Sequence, residues 1–230
     1  MAKNTKPNDD SLIDVGEVYT KTEQFVDTNR KQLTYGIGGV AGIIIAVLAY
    51  QSFIVAPAEA TAEEESWRSE SYFEKDSVEL AAFGDGYSAG LGEIMEEYSG
   101  TSAGNRAAYR MGVYHRDAGS YEEAIAAFES VDVDDDVVQV LAAGGIGDCY
   151  VELGDLEAAQ SAFKRAISNA ESGLAESVLA PMFLFKAALV EMELGNNGQA
   201  KKYFDRIVED YPTSQQNNPS VALAASLTGK

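Results

Sequence analysis

The residues with the types and spacing to do chemistry are few. Gly36, Gly38 and Ala41 in YGIGGVAGIII fit G-x-G-x-x-G/A, the pattern that lets a backbone approach a dinucleotide pyrophosphate. Cys149 is the one thiol and His115 the one imidazole. The run VDVDDD at 131–136 gathers carboxylates of the kind that hold calcium. None of these has the surroundings its chemistry needs. A dinucleotide loop follows a strand, and the preceding TKTEQFVDTNRKQL is a charged helix face with no apolar run. Zinc needs three or four ligands at defined spacing, which one His and one Cys cannot supply. The acidic run lacks the glycine and the later glutamate of a calcium loop and reads as a solvated connection. Cys149 lies in the apolar run IGDCYVEL, where a small buried residue is expected. No phosphate loop or nucleophile elbow is present, so the sequence predicts no catalytic, cofactor-binding or metal-binding residue and a chain that is not an enzyme.

The element that carries the glycines explains them differently. Leu33 to Val55 contains no Asp, Glu, Lys or Arg. As a helix these residues reach roughly 35 Å, enough to cross a ~30 Å hydrocarbon core. A transmembrane helix over 33–55 is therefore expected. Gly38, Gly42, Ala46 and Ala49 share one stripe of it, at the spacing that lets two membrane helices approach closely. Ala58-Glu59-Ala60 has the form of a signal-peptide cleavage site. Signal h-regions run about 7–15 residues and begin near the N-terminus, so an uncleaved anchor is the expectation. Arg30 and Lys31 abut one end of the span, while Glu59, Glu63, Glu64 and Glu65 follow the other. Positive flanks stay in the cytoplasm. The expected arrangement is single-pass with the N-terminus cytoplasmic and residues 56–230 outside, which in a cell with two membranes means an inner-membrane anchor and a periplasmic domain.

Ahead of the span, 1–11 reads as a disordered cytoplasmic tail and 12–32 as an amphipathic cytoplasmic helix. Val15, Val18, Tyr19, Phe25 and Val26 form its apolar stripe. An isolated helix of that length is marginal in water, so the stripe is expected to lie along the membrane surface or against a partner. Acids as numerous as bases on its polar face favour a protein partner over anionic lipid.

Charge narrows the partners further. Of 17 basic and 37 acidic residues, five and six precede the span, which leaves 12 and 31 after it, a net −19. Nucleic acid and anionic headgroups both need Lys/Arg patches and are excluded as ligands. A part of this length can bury one good core, and a single cysteine rules out an intrachain disulfide.

Three segments align on a glycine: MGVYHRDAGSYEEAIAAFESV, IGDCYVELGDLEAAQSAFKRA and AALVEMELGNNGQAKKYFDRI. Each reads as a helix, then Gly119, Gly154 or Gly195, then a second helix. Five residues after each glycine stands Ala124, Ala159 or Ala200, and nine after it Phe128, Phe163 or Phe204. Small and aromatic residues four apart share one helix face, so the alanine admits the paired helix and the ring fills the space one turn on. The spacing resembles the tetratricopeptide repeat. The second copy has Gly147, Tyr150, Leu153, Gly154, Ala159, Phe163 and Ala166; the first has His115 at the tyrosine position; the third has Ala188, Glu191 and Tyr211-Pro212. A degenerate unit precedes them, with GYSAGLGEIMEEYSGTS as its second helix and ESWRSESYFEKDSVELAAF expected as its first, Trp67, Tyr72, Phe73, Leu80 and Phe83 being the apolar residues. The fold class is therefore all-α: one N-terminal transmembrane helix and a short tetratricopeptide-repeat solenoid over 56–230. Its expected parts are a degenerate unit at 61–101, repeats at about 105–136, 140–172 and 178–214, and a C-terminal cap over 219–228.

The usual repeat geometry implies an inner groove lined by first helices. Tyr109, Val113, Val151, Met182, Phe185, Leu189 and Met192 would face it. Two readings stand for the C-terminal part of this set: a groove open to a partner, or a surface covered by SVALAASL. A basic clamp for acidic C-termini is not apparent.

DVGEVYTKTEQFVDTNR leading into the span, WRSESYFEKDSVELAAFGDG after it, and the repeats together resemble the YfgM-like family of inner-membrane ancillary subunits of the Sec translocon. The resemblance implies association with SecYEG and with a membrane-anchored periplasmic chaperone of the PpiD type, assisting exported or unfolded polypeptides; it implies no catalytic residue. An envelope-assembly adaptor, scaffolding cell-wall or outer-membrane biogenesis factors, is the alternative reading.

Overall fold

The computed structural model describes residues 25–132 and 136–227. The structure is helical throughout, with no strand among the described residues. The chain divides after Ile54 into two compact units.

In the first unit, residues 25–28 are helical and α1 spans Arg30–Tyr50; a π-helical stretch, Gln51–Val55, follows and its last residue opens the second unit. No residue of α1 is buried against protein. Ile37, Val40, Ile43, Ile44, Ile45, Val47 and Leu48 all stand exposed, and this helix is long and apolar enough to cross a membrane. A Cβ added to Gly38 or Gly42 would meet nothing, so the small-residue face has no partner within the unit. Val15, Val18 and Tyr19 of the expected cytoplasmic stripe lie outside the described residues, while Phe25 and Val26 are exposed.

The second unit contains α2 (Ala56–Glu74), α3 (Val78–Phe83), α4 (Leu91–Glu97), α5 (Ser102–Asp117), α6 (Tyr121–Glu129), α7 (Asp136–Leu153), α8 (Leu156–Ser172), α9 (Glu176–Glu193), α10 (Asn197–Asp210) and α11 (Asn217–Ser226). The pairs α5/α6, α7/α8 and α9/α10 are helical hairpins, and each packs on the next. The first helices α5, α7 and α9 also touch in turn, which is the stacking of a solenoid.

One device closes all three hairpins. Gly119, Gly154 and Gly195 have φ of +77°, +76° and +78°, a region in which a Cβ would be strained. The next residue then donates its N–H back over the turn, Ser120 to His115 O (2.8 Å), Asp155 to Tyr150 O (2.9 Å) and Asn196 to Glu191 O (2.8 Å). Within each hairpin the expected small and aromatic residues meet. Ala124, Ala159 and Ala200 are fully buried, and the rings of Phe128, Phe163 and Phe204 are buried beside them. The glycine of each first helix is where the ring lands. A Cβ at Gly112 would come within 2.5 Å of Phe128, and one at Gly147 within 2.6 Å of Phe163. In the third hairpin Ala188 takes that place and is itself buried.

The 41-residue glycine spacing, six more than the other, is absorbed by longer helices. α8 runs 17 residues against nine for α6, and only 173–175 separate it from α9.

The degenerate first unit differs from a helix pair. The stretch expected as one helix is two, α2 and α3, because Asp76 turns to φ +59° and Ser77 N–H bonds back to Tyr72 O at 2.9 Å. The buried face of α2 is Ala62, Ser66 and Ser69, and small residues let it lie close to α5. Trp67, Leu80 and Phe83 are instead exposed, while Tyr72 and Phe73 pack at the edge of a cluster around Leu91, Ile94 and Met111. Polar contacts finish the junction: Arg106 pairs with Glu63 (2.6 Å) and Glu70 (3.1 Å), and Glu59 caps α5 by accepting from Ser102 N–H at 3.0 Å.

Asp85 holds the loop between α3 and α4. Its oxygens accept from Tyr87 N–H, Ser88 N–H and Tyr72 hydroxyl, each at 2.9 Å, and from Arg68 at 3.4 Å. The Tyr87 amide and then the Tyr72 hydroxyl lower its pKa from 3.8 to about 2, with partial burial opposing. A depressed carboxylate contributes stability above its unfolded value and loses it as pH falls through the folded value. Asp85→Asn is therefore expected to lower the urea midpoint at neutral pH, with the gap from the unchanged chain closing between pH 3.8 and about 2. Midpoints by circular dichroism across that range check it; a gap independent of pH would overturn it.

Candidate functional site

The first helices end together at one cleft of about 490 Å³. Val151, Leu156, Phe163, Leu189 and Val190 form its apolar part, and Tyr121 stands at its edge. Val151 and Leu189 remain 39% exposed, so the floor is open. Of the residues expected in a groove, these two are the ones that line the cleft.

The others lie elsewhere. Tyr109 and Val113 pack at the edge of the cluster around Phe128, with the Tyr109 and Phe128 rings 5.8 Å apart, and burial raises the Tyr109 phenol pKa. Met182, Phe185 and Met192 pack against the largest core, with Phe185 edge-on to Phe204 at 5.6 Å. Leu223 and Leu227 pack on the same core, but α11 lies on α10, the second helix of its hairpin, and none of its residues lines the cleft.

Sequence reasoning missed the charged residues of the cleft. Lys186 Nζ sits 2.7 Å from both oxygens of Asp148, and 5.8–6.0 Å from the centres of the Phe183 and Phe163 rings. Arg116 pairs with Asp117 at 2.8 Å. Glu152 accepts from the Tyr121 hydroxyl at 3.5 Å, and its charge, followed by burial, raises the Tyr121 pKa. Glu193 completes the rim. The signal for these residues is positional. Counting from the small residue of each first helix, Val113, Asp148 and Leu189 are equivalent, as are Arg116, Val151 and Met192. The first two repeats thus exchange apolar and charged side chains between the same two positions, which a reading for apolar groove residues passes over.

Cys149 lies next to the cleft in sequence yet is fully buried, and burial pushes its thiol to about 11. It stays protonated near neutrality and is a packing residue. Among the described residues no three of His, Cys, Asp and Glu are grouped to hold a metal ion.

Glu191, where the repeat pattern has tyrosine, is 1% exposed. Its carboxylate accepts from Gln160 Nε2 at 2.8 Å and Asn196 Nδ2 at 2.9 Å, tying α8 to α9 and to the following turn. Glu191→Leu keeps the volume and strands the half-buried Gln160 amide. The expected loss is about 1–2 kcal/mol of unfolding free energy, with Glu191→Gln losing less. Urea titration of the three chains checks it, and a neutral leucine variant would show that the bonds contribute nothing.

Comparison with known families agrees with this geometry. Models described as tetratricopeptide repeat match residues 109–175 and 183–214. The comparison with curated proteins finds no match. The three hairpins with their shared glycine turns, buried alanines and plugging phenylalanines are tetratricopeptide repeats, and the chain is a repeat-containing protein with, among the described residues, one helix of membrane-spanning length.

Proposed function

We propose that this chain is a non-enzymatic, membrane-anchored adaptor whose repeat unit stands in the periplasm and binds protein partners during export. The anchor would be α1, docked through Gly38, Gly42, Ala46 and Ala49 and through the cytoplasmic stripe, and the partners would be SecYEG and a PpiD-type chaperone. The observation that carries the reading is the open cleft at the ends of α5, α7 and α9, carried on the same chain as a helix of membrane length. Tetratricopeptide hairpins stack into surfaces suited to polypeptide partners, and the charge of the unit keeps nucleic acid away. The positive flank at Arg30 and Lys31 supports the orientation.

The test is crosslinking in intact cells followed by purification of the full chain from detergent. Translocon subunits and a periplasmic chaperone are expected in the eluate, and their absence would end the translocon assignment. Cell-wall or outer-membrane assembly factors in their place would move the adaptor to envelope assembly.

A further inference from the structure

The charges of the cleft are unevenly spent. Its two cations are each held by an acid, Arg116 by Asp117 and Lys186 by both oxygens of Asp148. These four residues sum to no net charge. Glu152 and Glu193 remain. Glu152 has only the Tyr121 hydroxyl, at 3.5 Å, and Glu193 has no ion pair or hydrogen bond among the described residues. Both stand beside apolar side chains that are over a third exposed, Val151 and Leu189.

The backbone is close to neutral here: α5, α7 and α9 end at the cleft while α6 and α8 begin there, at Tyr121 and Leu156, and the partial charges of helix C- and N-termini offset. The part of the chain after the span carries a net −19, which raises the local concentration of cationic partners before contact.

We infer that the cleft takes an extended polypeptide segment in which Lys or Arg side chains alternate with apolar ones, the cations meeting Glu152 and Glu193 and the apolar side chains covering Val151 and Leu189. This deepens the adaptor reading and rests on it. An acidic segment is refused, because the cations that would receive it are already paired and the open groups are carboxylates. The chemistry is the reverse of a basic clamp for C-terminal carboxylates.

The test uses the full chain in zwitterionic nanodiscs and three fluorescein-labelled peptides of alternating pattern, Leu/Lys, Leu/Gln and Leu/Glu, with empty discs subtracted. Fluorescence anisotropy is expected to rank Leu/Lys first and Leu/Glu last at low ionic strength. Glu152→Gln with Glu193→Gln should weaken the Leu/Lys peptide by about fivefold per carboxylate, and added salt should shrink the difference. Glu96→Gln with Glu97→Gln, on exposed carboxylates of α4 outside the cleft, should change little. Equal loss in the α4 pair would overturn the inference in favour of attraction to the overall charge. Equal binding of Leu/Gln and Leu/Lys, both weakened by Leu189→Ser, would overturn the charge selectivity and leave the adaptor reading standing. Absence of any binding that Leu189→Ser alters would overturn the peptide cleft itself.

Discussion

Phe163→Ala is expected to lower the unfolding free energy of the repeat unit by about 3–5 kcal/mol, the largest loss from any single side chain in the second hairpin. The ring is buried, meets Gly147 where a Cβ would lie 2.6 Å away, and stacks on Phe183 at 6.3 Å. Its removal leaves a cavity at the joint between α7, α8 and α9, and the rigid helices cannot collapse into it. For a unit of this size the loss corresponds to a fall in Tm on the order of 10 °C. Because Phe163 also lines the cleft, the variant should weaken a bound segment in proportion. Thermal unfolding of the full chain in detergent checks the first effect. Phe163→Leu, which retains most of the volume, should recover the greater part of it, and an unchanged Tm in the alanine variant would show that the hairpin packs without its ring.

The second large effect concerns α1. Replacing Ile43 and Ile45 by Asp places two charges at the middle of the apolar span. Each costs about 2.5–3.5 kcal/mol of insertion on translocon-derived scales, so the pair removes about 5–7 kcal/mol. The variant is expected in the soluble fraction after a carbonate wash, where the unchanged chain stays in the pellet; Ile43→Leu with Ile45→Leu should stay there too. Release of the unchanged chain by the wash would remove the anchor. Protease added outside the inner membrane should degrade residues beyond the span, and survival of that portion would reverse the orientation.

Both effects trace to features visible as one-dimensional spacing. An uncharged run and a glycine followed at +5 and +9 by Ala and Phe are local patterns, and local geometry makes the helices and turns that follow from them. The break at Asp76 was harder to see. The stretch from Glu65 to Phe83 is helical in composition, and Asp76 turns there because α3 and α4 must fold back on α2 through Asp85. Glu191 is the same kind of case, since its burial depends on the hydrogen bond from Gln160, which the neighbouring hairpin brings to it.

By itself the sequence determined what depends on neighbours along the chain: helix against strand, the three glycine turns, and a long uncharged helix with its charged flank. The tertiary structure alone decided which equivalent positions became cleft and which became core. Val113 and Leu189 occupy the same repeat position, yet one packs at the edge of the Phe128 cluster and the other stays open beside Lys186. That outcome depends on which side chains the adjacent hairpin brings within a few ångströms, and adjacency between hairpins is a property of the stack.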